Sequence, residues 1–392
     1  MAVLMATLSA RSMVARAQEA QGEPESPASE APGFIPVIHG FVSQGFILTT
    51  ANNYLAQSEH GSFEFTEVGV NLTSQLTDDL RAGVQLFARD LGPIGNYSAK
   101  FDWFYLDYRF EDWLGIRAGR TKLPFGLYND TNDIDVAHVP ILMPQSVYPI
   151  ENRDFLLAQT GVELYGRAEL GAGGALDYRA YGGTIFLDVG APAAGSPFTV
   201  ESFTIPYVVG GRLMWETPVE GLRLGGSVQV LKLESTLLYG TGAMAMRVSV
   251  DIPATLWVTS VEYASSNLLV AIEYGRWHVS VDSSDPMLFP EQTVVSERGY
   301  VMASYRFTPW FQPGIYYSLL FPNVDDRDGR DSRQHDLAAT ARFDINEHWL
   351  VKLEAHYMNG TAALRAALND GAPPSALTRD WAVFLVKTTA YF

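Results

Sequence analysis

Residues 80–89, LRAGVQLFAR, decide the fold. Leu80, Ala82, Val84, Leu86 and Ala88 put apolar side chains at every second position, while Arg81, Gln85 and Arg89 occupy positions between them. A period of two with one apolar and one polar face is the mark of a strand, not of a helix. The pattern recurs in Phe104, Leu106, Tyr108 and Phe110 against Asp107 and Arg109. It recurs again in Leu337, Ala339, Ala341 and Phe343 against Asp336, Thr340 and Arg342, and in Trp349, Val351, Leu353, Ala355 and Tyr357 against Lys352, Glu354 and His356.

Extended along the chain, the alternation predicts sixteen strands: 36–49, 63–76, 80–90, 101–111, 114–123, 158–169, 175–186, 204–216, 221–234, 254–265, 267–279, 294–307, 309–321, 334–345, 348–358 and 380–392. Very short turns, such as Thr77-Asp78-Asp79 and Glu111-Asp112-Trp113, alternate with longer loops such as 50–62, 124–157, 187–203 and 359–379. That alternation belongs to an even-stranded up-and-down barrel with both termini on the short-turn side. A soluble β-sandwich would share the period of two, but its strands run only about 5 or 6 residues. Its aromatics would also not gather at strand ends, where Trp103, Trp113, Trp215, Trp257, Trp310, Trp349, Trp381, Tyr263, Tyr274, Tyr305 and Tyr391 fall here and where an interfacial girdle needs them.

Composition agrees. The 392 residues are 47% hydrophobic and only 18% charged, too apolar for global disorder. No run reaches the roughly 18 to 20 apolar residues of a spanning helix, so a membrane crossing would need a closed barrel, the other form that satisfies every backbone group in lipid. The balance of 27 basic and 44 acidic residues gives −17, which argues against a nucleic-acid partner because little would neutralise its phosphates. With no cysteine, disulfides, thiolate metal sites and thiol nucleophiles are excluded. At the N-terminus, an apolar stretch and Ala15-Arg16-Ala17 predict a truncated export signal over 1–17, followed by a Glu-, Pro- and Ser-rich disordered periplasmic leader over 18–33 and the barrel domain over 34–392.

The stretch from Gly61 to Gly166 resembles a proteobacterial family of sixteen-stranded outer-membrane porins related to the phosphate-selective porin O/P superfamily. The matching runs are GSFEFTEVGVNLTSQLTDDLRAGVQLFARDLGPIG, DWFYLDYRFEDWLGIRAGRTKLPFGLYND and DIDVAHVPILMPQSVYPIENRDFLLAQTGVELYG, including R-A-G-R-x-K-x-P-F-G-L-Y-N at Arg117 to Asn129. The resemblance implies a bacterial outer-membrane location and a passive channel assembled as a homotrimer among lipid and lipopolysaccharide. The final strand, ending Ala390-Tyr391-Phe392, resembles the signal by which the barrel assembly machinery recognises its clients. Phosphate as substrate is not implied, because no ladder of lysine and arginine runs along the whole predicted axis.

The longest loop, 124–157, lies between the fifth and sixth strands, where porins fold a loop inward to narrow the channel. It carries Asp130, Asp133, Asp135, Glu151 and Asp154 against a single Arg153, and the wall of strands three to five carries Arg81, Arg89, Arg109, Arg117, Arg120 and Lys122. Carboxylates facing cations across a narrowing predict a transverse field that favours small polar solutes and ions. Glu163, Arg179, Arg212, Glu262, Glu273, Arg342 and Glu354 also point inward by alternation, so the lumen is mixed in sign and ion preference stays open. Short-turn pairing sets Asp107 opposite Arg117 and Glu67 opposite Arg89, which makes them equally readable as braces of the sheet.

Other chemistry is poorly represented. Asp130, Asp133 and Asp135, or Asp325, Asp326, Asp328 and Asp331, are the only clusters suited to a hard cation, and neither follows an EF-hand spacing, so no metal or other cofactor is expected. No G-x-S-x-G or H-E-x-x-H occurs, and the seven histidines lack ligand spacing. The expectation is a diffusion channel and not an enzyme. A substrate-specific channel for phosphate or carboxylate is the alternative, with a hydrolase or a plugged structural barrel more distant.

Overall fold

Sixteen strands pair antiparallel in chain order, and the last pairs with the first to close the sheet. The computed structural model describes residues 36–187, 197–240 and 245–392, so the expected signal and leader lie outside the described residues. The strands are β1 (Val37–Thr49), β2 (Phe65–Gln75), β3 (Leu80–Leu91), β4 (Lys100–Glu111), β5 (Leu114–Lys122), β6 (Ala158–Glu169), β7 (Ala175–Thr184) and β8 (Phe198–Glu216). They continue as β9 (Leu222–Tyr239), β10 (Met246–Ser265), β11 (Leu268–Ser283), β12 (Gln292–Tyr305), β13 (Phe311–Phe321), β14 (Gln334–Asn346), β15 (Trp349–Gly360) and β16 (Asp380–Tyr391). The expected count and chain order hold. Closure matters because an open edge would leave unpaired N–H and C=O groups in lipid. Val42 pairs with Ala390 across the seam, and Gly40 exchanges two 3.0 Å backbone hydrogen bonds with Phe392.

The apolar face of each strand points out. Leu86, Phe104, Leu106, Leu164, Ile272, Leu353 and Phe384 are all exposed, the reverse of a soluble protein. A continuous exposed apolar band of this kind is stable only against hydrocarbon, so the barrel is a membrane-spanning one. Trp113, Trp215, Trp310 and Trp349 are exposed on this surface, as the girdle requires. Trp103 and Trp381 are not: each is buried, so both leave the predicted girdle. Trp103 turns inward beside a β-bulge, where β4 slips against Gln85 and Leu86, and Trp381 stacks edge-on against Tyr54 of the loop after β1.

Strands β8 to β11 extend 4 to 8 residues beyond their expected upper ends. Two features conceal those ends. Pro206 sits at a register shift of β8 and Pro253 sits within β10, and the outward positions there are polar: Lys232 bonds Glu234 and Asp251, and Arg247 bonds Glu201. The same strands also depart from the expected polar lumen. Ile205, Val208, Leu231, Val250, Leu256 and Val258 are buried on the inner side of β8 to β10. Interior apolar side chains need something to pack against, and the loop between β5 and β6 supplies it.

Candidate functional site

Prolines 124, 140, 144 and 149 deny the 123–157 segment a regular ladder, so it leaves the sheet and turns into the barrel. Gly126 makes the entry with φ +62°; a Cβ there would lie 2.5 Å from the Tyr148 hydroxyl and 2.8 Å from the Glu273 carboxylate. Leu123, Phe125, Tyr128, Met143, Val147 and Tyr148 then pack onto the apolar inner wall together with Leu231, Leu256, Trp277, Tyr300 and Met302.

Polar contacts spread the loop around the circumference. Arg153 donates to Asp102 of β4 at 2.8 Å, and Lys122 of β5 donates to Asp133 at 2.7 Å. Asp130 takes Arg179 of β7 at 2.7 Å and Arg212 of β8 at 3.0 Å. Gly126 N–H donates to Ser227 of β9, the Tyr128 hydroxyl to Glu262 of β10, and Leu127 N–H to Glu273 of β11. Arg298 of β12 donates to the Ser146 carbonyl, Ser318 of β13 to the Ser146 hydroxyl, and Arg342 of β14 to the Val136 carbonyl. Ile141 and Leu142 N–H groups both donate to Glu354 of β15, at 2.7 and 2.9 Å. Asp135 accepts from Lys387 of β16 at 2.9 Å and from Thr389 at 2.6 Å. The loop is thus anchored to β4, β5 and every strand from β7 to β16.

The electrostatics follow from burial. Desolvation alone would raise the Asp133 carboxyl, but Lys122 and Arg153 outweigh it and hold the group well below the usual carboxylate range. Lys387 and Lys352 do the same for Asp135, and Arg179 and Arg212 lower Asp130. Burial raises Glu151, which pairs with Arg365 of the loop before β16 at 2.7 Å. Burial, helped by Lys352, pushes the His138 imidazole down to about 4, while its Nε2 faces the Thr131 carbonyl.

The loop carboxylates Asp130, Asp133 and Asp135 are in direct contact with cations and not across a gap, and of the basic residues expected opposite them on strands three to five only Lys122 pairs with one; the others they meet are Arg153 of the loop itself, Arg179, Arg212, Lys352 and Lys387. Asp130, Asp133 and Asp135 diverge to different cations instead of converging on one point, and no group of three or more metal-binding side chains occurs among the described residues. The expected braces are formed as well: Arg117 lies 3.0 Å from Asp107, and Arg89 lies 2.5 Å from Glu67. Glu163 joins Arg117 at 3.2 Å to Arg179 at 2.6 Å, and Arg81 reaches Asp107 at 3.1 Å. Arg109 pairs with Gly115 near the short turn and is exposed. Arg120 sits in register with the outward Phe104, on the opposite side from Arg117 by alternation, and donates to the Asp102 carbonyl. Glu273 accepts from Ser260, Tyr148 and Tyr300, and Arg342 pairs with Asp344 at 2.6 Å. The side chain of Asp154 lies outside the described residues.

Several site residues escape a reading by alternation. Asp102 is buried beside Trp103 because the bulge turns two successive side chains inward. Lys352 and Lys387 fall on the polar face of their strands but gain their role only from Asp135, more than 200 residues away.

One asymmetry runs through the wall. Arg81, Arg117, Arg179, Arg212 and Arg223 keep 14–25% of their side-chain surface accessible inside the barrel. Their partners Asp107, Glu163 and Glu262 retain 0–5%, whereas Arg212 and Asp130 are equally accessible at 14%, and on β14 the order reverses, Arg342 at 5% against Asp344 at 15%. Around Asp107, Glu163 and Glu262 the carboxylates sit behind and the guanidinium groups in front.

No protein-family model and no curated protein matches the chain. Solved structures do. The anion-selective porin from Comamonas acidovorans matches with a TM-score of 0.57 and 11% identity over 92% of this chain and 100% of that one. The outer membrane channel DcaP of Acinetobacter baumannii matches with a TM-score of 0.57 and 12% identity over 92% and 98%. OmpT, an outer-membrane protein of Vibrio cholerae, matches with a TM-score of 0.56 and 10% identity over 93% and 99%. The fold is that of the outer-membrane porins. At such identity the likeness concerns architecture alone, and the link to the phosphate-selective porin superfamily gains no support from it.

Proposed function

We propose that this chain is a bacterial outer-membrane porin: a water-filled channel for passive diffusion of small hydrophilic solutes and ions, narrowed by the 123–157 loop and preferring anions. The observation that carries this reading is the ordering of charge on one side of the wall, with accessible arginines on β3, β5, β7 and β9 and the carboxylates Asp107, Glu163 and Glu262 buried behind them. In a low-dielectric barrel, the charge nearest the water sets the sign of the field an ion meets. The exposed apolar band takes outer-membrane lipid and lipopolysaccharide as surroundings, Phe392 addresses the assembly machinery, and three copies assemble side by side.

Single-channel recording in a planar bilayer tests this. Ohmic steps with an anion-preferring reversal potential support it; steps blocked by millimolar phosphate favour a phosphate-specific channel. The anchoring of the loop to twelve strands favours a second reading, a barrel held shut until the loop is displaced. That reading requires silence from the wild type and current after the loop is deleted. Ester or phospholipid hydrolysis by the purified protein would move the assignment to a hydrolase.

A further inference from the structure

Arg298 departs from the rule that governs the other inward arginines of the wall. It projects inward from β12, in register with Gly275 of β11 and beside Trp277 of that strand. Its guanidinium carbon sits 3.5 Å from the centroid of that indole ring. Nε donates to Ser296 Oγ at 3.0 Å and Nη1 to the Ser146 carbonyl at 2.8 Å. Among the described residues no carboxylate pairs with it, and Nη2 has no hydrogen-bond partner.

A second unfulfilled donor lies alongside. Trp277 is buried, and its Nε1–H has no acceptor. Buried donors without acceptors are uncommon and costly, by about 1–3 kcal/mol each. Here one belongs to the ring on which an uncompensated cation rests. The buried indole N–H lacks an acceptor and the partly accessible guanidinium lacks a counter-charge, and one anionic acceptor would serve both. The surroundings narrow its class. Trp277 belongs to the apolar cluster that includes Leu256, Leu231 and Met302, so the surroundings of the site are of low polarity and strengthen a charge-assisted contact. A single guanidinium with one neutral indole donor matches the single charge and two oxygens of a carboxylate. Phosphate, with close to two charges and three strong acceptor oxygens, would leave most of its demand unmet.

We propose that Arg298 and Trp277 form a luminal binding site for small organic carboxylates, reached at the face of the loop where Ser146 lies. The proposal rests on the channel reading above and adds a ligand class to it. The guanidinium edge takes the carboxylate, and the indole N–H supplies a further hydrogen bond. Cation–π stacking holds the fork in place without neutralising it.

Butyrate is the probe, used with the folded full-length protein in two measurements: current block in KCl-bathed bilayers, and calorimetric titration of detergent-solubilised protein. Saturable block and binding by butyrate are expected, with inorganic phosphate weaker at equal concentration. Arg298→Gln should weaken butyrate by about tenfold or more, since it removes a charge-assisted contact. Trp277→Phe keeps the ring and removes the donor; it should weaken butyrate a few-fold, and it carries the test if Arg298→Gln fails to fold. Butyrate affinity unchanged in both variants would overturn the site, as would phosphate binding as tightly as butyrate. Conductance without butyrate binding refutes the site and spares the channel, whereas butyrate binding by a silent protein refutes the channel and spares the site.

Discussion

Asp135 of the inward loop and Lys387 of the closing strand lie 2.9 Å apart, and the same ammonium group reaches Glu67 of β2 at 2.6 Å. One lysine thus ties the seam of the barrel to the segment that fills it. Lys352, fully buried, depends on Asp135 at 3.6 Å for its nearest carboxylate and on the Pro140 carbonyl at 2.9 Å. Asp135→Asn would leave two buried cations under-compensated. Breaking a buried pair costs about 3–5 kcal/mol, and the lower end applies because Lys387 keeps Glu67. Hydrogen exchange of the loop amides at 133–142 should accelerate by about two orders of magnitude, since each 1.4 kcal/mol is tenfold. Exchange unchanged within a few-fold would mean that the loop is held by its apolar contacts instead.

Acid should act on the loop in two separate stages. His138 is held neutral by burial, down to about 4 against an ordinary 6.5, so the released loop takes up the proton first. Its contribution is intact above the ordinary value and is lost as pH falls from 6.5 towards 4. Asp130, Asp133 and Asp135 are depressed, so their contribution is complete above the ordinary carboxylate range and fades only as pH drops below about 4 towards their lowered values. Loop exchange rates should therefore rise between pH 6.5 and 4 in the wild type, and that rise should be lost in His138→Gln, where the raised Glu151 acts with the opposite sign. A variant that keeps the same slope would assign the upper stage to another group.

Gly126→Ala probes the entry of the loop. A Cβ at φ +62° carries a backbone cost of about 1–2 kcal/mol. It also pushes against the Tyr148 hydroxyl, which bonds Glu273. The expected result is an altered single-channel conductance with barrel strand content unchanged by circular dichroism. Identical conductance would place the narrowing elsewhere.

Much of this architecture is legible in the chain itself, for a physical reason. Lipid demands an outward apolar face on every strand, so the signal at Leu80 to Arg89 or Trp349 to Tyr357 is strong and uninterrupted. Two-residue turns fix register, which is why Asp107 opposite Arg117 follows from sequence alone. The signal fails where lipid no longer writes it. Beyond the membrane band, β8 to β11 carry polar residues such as Lys232 and Asp251 outward and apolar ones such as Val250 inward, and the expected period loses its phase. The bulge at Asp102 hides a partner of Arg153 for the same kind of local reason. Contacts across the lumen, such as Asp135 with Lys387 or Ser146 with Arg298, join segments without any shared pattern, and only the closed barrel brings them together.

The arginines of the wall make the central claim testable. Arg117→Gln with Arg223→Gln removes two accessible charges and leaves Glu262 without its arginine, while Asp107 keeps only Arg81 and Glu163 only Arg179. Anion preference should fall or reverse in this variant, read as the reversal potential under a tenfold KCl gradient. An unchanged potential would assign selectivity to another part of the lumen.

The most direct measurement is that reversal potential for the wild-type protein, taken together with its single-channel steps. Open ohmic steps and a potential on the chloride side of zero are expected. A cation-side potential, or no current from folded barrels inserted in the bilayer, would contradict it.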